Sequence, residues 1–292
     1  LDLSMVPKLM KIMRQEKPDV VHTHLDVIKY AVAAAKLSGV KHCVHTVHNV
    51  AHQEAEGRLQ KIVNTVYFKL GWSVPVALSP EVRRTIASFY GLKEEKVPMV
   101  YNGVDLGKCT PKEDYRLSEP ACLLHIGRFN DQKNHAGLLE AFSLVLKRHP
   151  NCCLKLIGDG DLREAVERQA ETLSIRDKVL FLGSQSSVHP FLQEADLFLL
   201  PSKFEGMPMT IIEAMGTGLP IVATAVGGVP DMLRDQESGL LVSCEPESIA
   251  DAVCKLLDSE TLRKTLGSNA RLDSKQFGAD HMARCYCESY GQ

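Results

Sequence analysis

Glu205 and Glu213 stand eight positions apart in SKFEGMPMTIIEAMGTGLPIVAT, residues 202–224, with a glycine and a proline between them and a helical pattern beginning after the proline. Gly206 lets backbone approach a ligand closely, and Pro208 suits the first turn of a helix. The segment Gly206, Met207, Pro208, Met209 would then offer the free N–H groups that hold an anion at a helix start. Carboxylates beside an anion repel it unless they are aimed at uncharged groups. Sugar hydroxyls fit, because an ionised carboxylate accepts charge-assisted hydrogen bonds from them. The plainer alternative is that both glutamates only complement the positive end of the helix dipole.

A second candidate is RFNDQKN, which follows the apolar run ACLLHIG and brings Arg128 and Lys133 to a loop entering a helix. Two cations beside free helix N–H groups suit a diphosphate, although a basic loop on its own is more often solvated surface. His22, His24, His45 and His48 lie at the ends of VVHTH and HTVHNV, with His52 four residues further on. A metal site is not expected from them, since no second ligand set with recognisable spacing accompanies them. The DGD at 159–161 sits in a strand-to-helix turn where Asp161 is expected to cap the helix. LIGDGD also lacks the third glycine of a dinucleotide fingerprint.

These residues need strand ends and helix starts to carry them. Apolar Val6, Leu9, Met10, Ile12 and Met13 follow helical spacing after a possible Ser4 cap, and PDVVHTH then switches to a strand pattern. VIKYAVAAAKLSG is helical with Gly39 as its stop, HCVHTVH a strand, 58–70 an amphipathic helix, and SVPVALS a strand running into a Ser79–Pro80 helix start. KVPMVYNGVDL supplies a strand and a turn. Residues 106–119, polar and aperiodic with Pro111, are expected to be an interdomain linker. Beyond them ACLLHIGR, CCLKLIGDGD, KVLFLG, LFLLPS, PIVAT and GLLV read as strands, with helices over 135–148 and 162–174. Alternation of short apolar strands with helices predicts an α/β protein of two doubly wound, parallel-sheet domains. In such sheets ligands bind beyond the C-terminal strand ends, where every candidate above lies.

Bulk composition bounds the possibilities. At 292 residues, 45% hydrophobic and 24% charged with a net charge of −2, the chain is globular and lacks a broad nucleic-acid surface. Nine cysteines without C-x-x-C spacing read as reduced thiols of a cytoplasmic protein. No apolar run is long enough to span a bilayer, and no signal peptide opens the chain. The helices 6–14 and 58–70 mix basic and apolar residues, which suits packing on a sheet and also peripheral association with an anionic membrane.

EGMPMTIIE resembles the signature of retaining glycosyltransferases of family 4, which have the GT-B fold. NGVD, GRFNDQKN, LIGDGD, FLGS, ADLFLLPS, EAMGTGLPIVAT and GGVPDML occur in family order, so the resemblance spans residues 18–292. It implies two Rossmann-like domains facing a cleft: an acceptor-side domain over 1–105, the linker 106–119, and a nucleotide-sugar domain over 120–275, with 276–292 crossing back onto the first. By the same resemblance Arg128 and Lys133, with the backbone of Gly206, Met207, Pro208 and Met209, bind the donor diphosphate. Glu213 takes the ribose hydroxyls, Glu205 the donor sugar, and Gln185, Ser186, Ser187 and Val188 lie near the nucleobase. His48 matches a histidine near the donor sugar; His24 is more a packing or acceptor-side residue. The catalytic set is thus Glu205, His48, Arg128 and Lys133.

The reaction implied is transfer from a nucleotide sugar, UDP-linked or GDP-mannose, to a glycan or lipid-linked acceptor with retained configuration, using no metal and no cofactor. Two departures stand out. Asp231 replaces the glutamate that relatives often carry. The chain also begins at Leu1, inside the pattern, so the N-terminal domain is expected to be incomplete by on the order of 80 residues, from typical unit lengths. A non-catalytic nucleotide-sugar-binding fragment and a GT-B-fold UDP-sugar epimerase are the alternative readings.

Overall fold

The computed structural model describes residues 2, 4–48, 50–55 and 57–291. They divide into two units, 1–102 with 280–292, and 103–279.

In the first unit the short runs of apolar and β-branched residues form β1 (Val20–His24), β2 (His42–Val47) and β3 (Val74–Ala77), a parallel sheet in the order β1-β2-β3. Val20 pairs with His42 and Val44 with Val74. The helices Met5–Glu16, Ile28–Leu37, Arg58–Lys69 and Pro80–Tyr90 join and flank the strands. Ser79 caps the last by accepting the Val82 N–H at 3.2 Å. Ser4 makes no such side-chain bond at the first helix. Ile28, Val32, Phe68, Ile86 and Tyr90 pack in the main core of this unit, and Val44, Val76 and Val100 gather Met282, Tyr286 and Tyr290 of the helix Ala279–Tyr290 in another. The strand expected in KVPMVYNGVDL is reduced to a bridge between Ala77 and Met99. Pro98 explains this: its carbonyl accepts the Ala77 N–H at 3.0 Å, but it has no N–H to continue a ladder.

The second unit holds β4 (Ala121–Ile126), β5 (Cys152–Ile157), β6 (Val179–Phe181), β7 (Leu197–Leu200), β8 (Ile221–Thr224) and β9 (Leu240–Val242). All pair in parallel in the order β6-β5-β4-β7-β8-β9. Every residue of β4 is buried, as expected of a central strand covered on both faces. Numbered within this unit the order is 3-2-1-4-5-6, the dinucleotide-fold arrangement whose chain direction reverses between its first and fourth strands. Here those are β4 and β7. Leu123, Phe142, Leu154, Leu199 and Val253 belong to the core between the sheet and its helices.

Residues 106–119 fall inside the second unit. The Lys112 N–H bonds the Thr217 carbonyl at 2.8 Å, the buried Tyr115 hydroxyl donates to the Gly218 carbonyl at 3.0 Å, and Arg263 Nε donates to the Tyr115 carbonyl at 2.9 Å. Backbone bonds and one aromatic ring dock this segment, which is why it has no periodicity. Among the described residues no helix is long and apolar enough to cross a membrane.

Candidate active site

The loops leaving β4 and β7, residues 127–134 and 201–208, emerge side by side at the switch point of the second sheet. Phe129 anchors the first of them. Its ring is buried and stacked on His135 with centroids 4.0 Å apart, and its N–H bonds the Asp159 carbonyl at 3.0 Å. Asn130 then accepts the Lys133 N–H at 3.2 Å, closing a single turn over Asp131–Lys133. Asn134 follows in the left-handed region at φ 52°. Its side chain accepts the Gly137 N–H and donates to the Pro201 carbonyl at 3.1 Å, tying the loop to its neighbour.

The result is a short ion pair: Lys133 Nζ lies 2.6 Å from Glu205 Oε1, with side chains only 16% and 5% exposed. Gln132 Nε2 donates to the Phe204 carbonyl at 3.0 Å and lies 3.4 Å from Glu205 Oε2. A second loop presses on Glu205 from behind. Gly227, at φ +52°, has no room for a side chain, since a Cβ there would lie 1.7 Å from the Glu205 carbonyl oxygen. Gly228 N–H also bonds the Gly206 carbonyl at 3.1 Å. Gly158 has the same function under the first loop, where a Cβ would meet the Gly127 carbonyl oxygen at 2.0 Å.

Pro208 precedes the helix Met209–Thr217, whose first turn has no side-chain cap. The Ile211 N–H bonds the Pro208 carbonyl at 3.1 Å, and no side chain competes with an anion for the start of the helix. The Met207 side chain is buried and that of Met209 exposed, so this stretch offers backbone more than side chains. Glu213, about one turn into the helix, is half-buried, and burial pushes its carboxyl above the usual carboxylate range. The positive charge that His189 can carry opposes that shift, while Glu213 in turn helps burial raise the Cys109 thiol to about 11. Gln185, Ser186 and Ser187 form an exposed loop after β6, with Gln185 Nε2 donating to the Leu182 carbonyl at 2.6 Å. Val188 holds the N-cap position of the helix His189–Glu194, with no side-chain bond to it.

Lys133, Glu205 and the 206–209 backbone are thus brought together. Arg128 is not part of that cluster: its guanidinium is 68% exposed and stands 4.0 Å from the Asp161 carboxylate. Asp161 was expected to cap the helix Arg163–Thr172, but Leu162 holds the N-cap position and no side-chain bond is made there. The turn is closed instead by the Arg163 N–H to the Gly160 carbonyl.

His48 belongs to the first unit, just past the end of β2. Its Nε2 lies 2.8 Å from His24 Nδ1, and its backbone N–H bonds Glu54 Oε2 at 2.5 Å. Glu54 Oε1 also lies 3.4 Å from His45 Nε2, and His45 Nδ1 contacts Thr23 Oγ1 at 2.9 Å. His22 is held by Tyr290 at 2.9 Å and Thr46 at 2.8 Å. Burial, reinforced by the neighbouring imidazoles, pushes His22 down to about 4, and burial also lowers His24 and His48. Burial thus favours the neutral form of His22, His24 and His48. Among the described residues no group of three or more His, Cys, Asp or Glu is arranged to hold a metal ion.

Gln132, Asn134, Gly227, Tyr286 and Tyr290 were not singled out from the sequence. Asn134 was readable, since it immediately precedes a helical pattern. The role of Gly227 depends on a backbone contact with a residue far away in the chain, for which no local signal exists.

Residues 111–273 match the family described as glycosyl transferases group 1, and residues 1–108 match glycosyltransferase family 4. The chain is 27% identical over 280 residues to the Escherichia coli UDP-Gal:alpha-D-GlcNAc-diphosphoundecaprenol alpha-1,3-galactosyltransferase, covering 89% of this chain and 72% of that one. It is 27% identical over 286 residues to the Bacillus anthracis N-acetyl-alpha-D-glucosaminyl L-malate synthase, covering 92% and 73%. The crystal structure of Anabaena HepE in complex with UDP superposes with a TM-score of 0.87 at 19% identity, covering 98% of this chain and 81% of that one. The parallel sheets, the switch-point site and these matches agree: the chain has the GT-B fold and belongs to the glycosyl transferases group 1 family.

Proposed function

We propose that the chain transfers a hexose from a UDP-sugar to a glycan or lipid-linked acceptor, retaining the anomeric configuration and using no metal. The observation that carries this reading is the Lys133–Glu205 pair at the sheet's switch point, beside an uncapped helix start. Lys133, Arg128 and the 206–209 backbone hold the diphosphate, and Glu205 the donor sugar. Glu213 accepts from the ribose hydroxyls, and the Gln185–Val188 loop borders the base. A neutral His48 serves as a hydrogen-bond partner for sugar hydroxyls rather than as a cation.

In a front-face displacement the bond from the anomeric carbon to the phosphate oxygen breaks while the acceptor oxygen bonds on the same face. The leaving phosphate oxygen takes the acceptor's proton. Arg128, Lys133 and the helix N–H groups stabilise the charge developing on the diphosphate, each such donor being worth roughly 3 kcal/mol. In this reading cationic side chains and helix N–H groups do the work that a metal ion does elsewhere. The E. coli relative's name specifies a UDP-linked donor and a diphosphoundecaprenol acceptor, and HepE was solved with UDP. Both support a UDP donor, and the first supports a lipid-linked acceptor; with such an acceptor we infer action in the cytoplasm, at the inner face of the membrane.

Thermal melting with UDP, GDP and ADP tests the reading. A ligand at about 100 times its dissociation constant stabilises by roughly 2.7 kcal/mol. UDP is expected to raise the melting temperature, and Glu213→Gln and Arg128→Ala to weaken that rise. A rise with GDP alone would transfer the reading to GDP-mannose. No rise with any nucleotide, in folded protein, would refute donor binding by this chain.

A further inference from the structure

β4 and β5 begin with cysteines in matching register: Ala121 pairs with Cys152, and Cys122 with Cys153. Because side chains alternate along a strand, the two pairs face opposite sides of the sheet. Ala121 and Cys152 point into the core with Leu123 and Leu154. Cys122 and Cys153 share the other face, where Lys155 is the next residue along β5 and bonds Glu194 Oε2, from the short helix His189–Glu194, at 2.9 Å. The two faces of β5 differ in exposure: Cys152 and Leu154 are buried, Cys153 and Lys155 only partly. Cys122 is 5% exposed, so Cys153 is the thiol of the pair that solvent reaches.

The two thiols are hydrogen-bonded to one another. Cys122 donates, and this holds the Cys153 thiol below the ordinary thiol range, at about 7. Burial and the Asp196 charge oppose that shift, while Lys155 and Lys178 add to it. The same hydrogen bond, together with burial, pushes the Cys122 thiol up. Asp196 Oδ2 also accepts the Cys122 N–H at 2.8 Å, which fixes the backbone there. A cysteine that serves only as a small apolar residue behaves as Cys152 does, where burial raises the thiol to about 11. Adjacent strands stand about 4.8 Å apart, within the ~4.4–6.8 Å between Cα atoms that a disulfide spans. We propose that Cys122 and Cys153 form a reversible oxidation site that exchanges with low-molecular-weight disulfides, Cys153 attacking and Cys122 resolving. The Cys153 thiolate bonds one sulfur of the reagent, whose own S–S bond breaks and releases a thiolate. The Cys122 sulfur then bonds that of Cys153 and expels the second thiolate, which takes the Cys122 proton. Two electrons pass from the protein pair to the reagent, which leaves as a thiolate and a thiol. Capping Cys153 removes the negative charge that held the Cys122 proton, so the first step prepares the second. Such a pair suits a reducing compartment, where disulfides are transient rather than structural.

Native protein incubated with oxidised glutathione, quenched with acid, alkylated and digested tests this by peptide mass spectrometry. A Cys122–Cys153 link that dithiothreitol reverses is expected, with the buried Cys43 and Cys254 still reduced. Cys122→Ser should arrest at a glutathione adduct on Cys153, and Cys153→Ser should leave Cys122 unreacted. Cys122→Ala removes the hydrogen-bond donor and should slow the attack by Cys153 roughly fivefold at pH 6. Its thiolate pool falls about thirtyfold, partly offset by the greater nucleophilicity of a more basic thiolate. A parent in which Cys153 stays reduced, keeps its glutathione adduct or links to Cys152 would overturn the assignment, as would an unchanged rate in Cys122→Ala. So would a Cys122–Cys153 link that forms only together with oxidation of Cys43 and Cys254, because the chain would then be reacting unfolded.

Discussion

Replacing Lys133 by methionine separates what the switch-point ion pair does for folding from what it is proposed to do for the donor. The substitution keeps most of the aliphatic stem and removes only the ammonium, leaving the Glu205 carboxylate, 5% exposed, without its 2.6 Å partner. Breaking a buried pair from one side costs about 3–5 kcal/mol. The lower end applies here, about 3 kcal/mol, because Gln132 Nε2 stays within reach of the other carboxylate oxygen at 3.4 Å. Glu205→Gln should cost less, about 1 to 2 kcal/mol, since the 16% exposed ammonium sits on a flexible stem and can find water. The double variant buries no charge and should fall within about 1 kcal/mol of the parent, giving roughly 3 kcal/mol of coupling. Urea unfolding followed by far-UV circular dichroism is the assay, because the single tryptophan, Trp72, lies in the other unit. UDP should fail to stabilise the double variant although its fold is intact. A cost below about 1 kcal/mol for Lys133→Met, or additive single costs, would refute the view that the pair is buried and mutually dependent.

Gly227→Ala should cost at least about 2 kcal/mol and abolish UDP stabilisation, because its Cβ would collide with the Glu205 carbonyl; thermal melts with and without UDP read both effects. Acid sensitivity should come partly from His125 and His135, buried side by side with ring centroids 4.8 Å apart and pushed by burial to about 4 and about 2. The unfolded chain protonates both near pH 6.5, so their contribution is full above that pH and is lost as pH falls toward 4. Urea midpoints across that window should drop less steeply in His125→Gln/His135→Phe than in the parent. Glu213→Gln should behave in the opposite way. Burial raises the Glu213 carboxyl, so the folded state holds its proton more tightly and loses stability as pH rises through the carboxylate range. The amide removes that cost, and the variant should be no less stable than the parent at pH 8 while its UDP-induced melting shift shrinks. A clear loss of stability at pH 8 would mean that Glu213 is a structural acceptor rather than a ligand contact.

The elements that were legible from the sequence are those whose physics is local. β4 could be read from ACLLHI because a central parallel strand is apolar throughout, and the helix start at Ser79–Pro80 because cap and proline adjoin. Lys133 and Glu205 were each identifiable as chemistry-bearing residues, but their pairing was not. They are 72 positions apart, and only the adjacency of β4 and β7 brings their loops together. Strand order is a long-range property that no window of sequence contains. The segment 106–119, read from the sequence as a linker, docks on the second unit through backbone bonds such as Lys112 to Thr217, which leave no side-chain pattern. The helix Arg58–Lys69 shows the same limit at its sharpest. Its periodicity establishes that it has an apolar stripe and a polar stripe, yet not which of them meets the core. That is decided by Tyr90, whose hydroxyl, placed there by another helix, accepts from Asn64 and makes the polar row the one that can be buried without penalty. Once the interior supplies that partner, the leucine and isoleucine row is forced outward. The exposed apolar stripe is then a consequence of core chemistry.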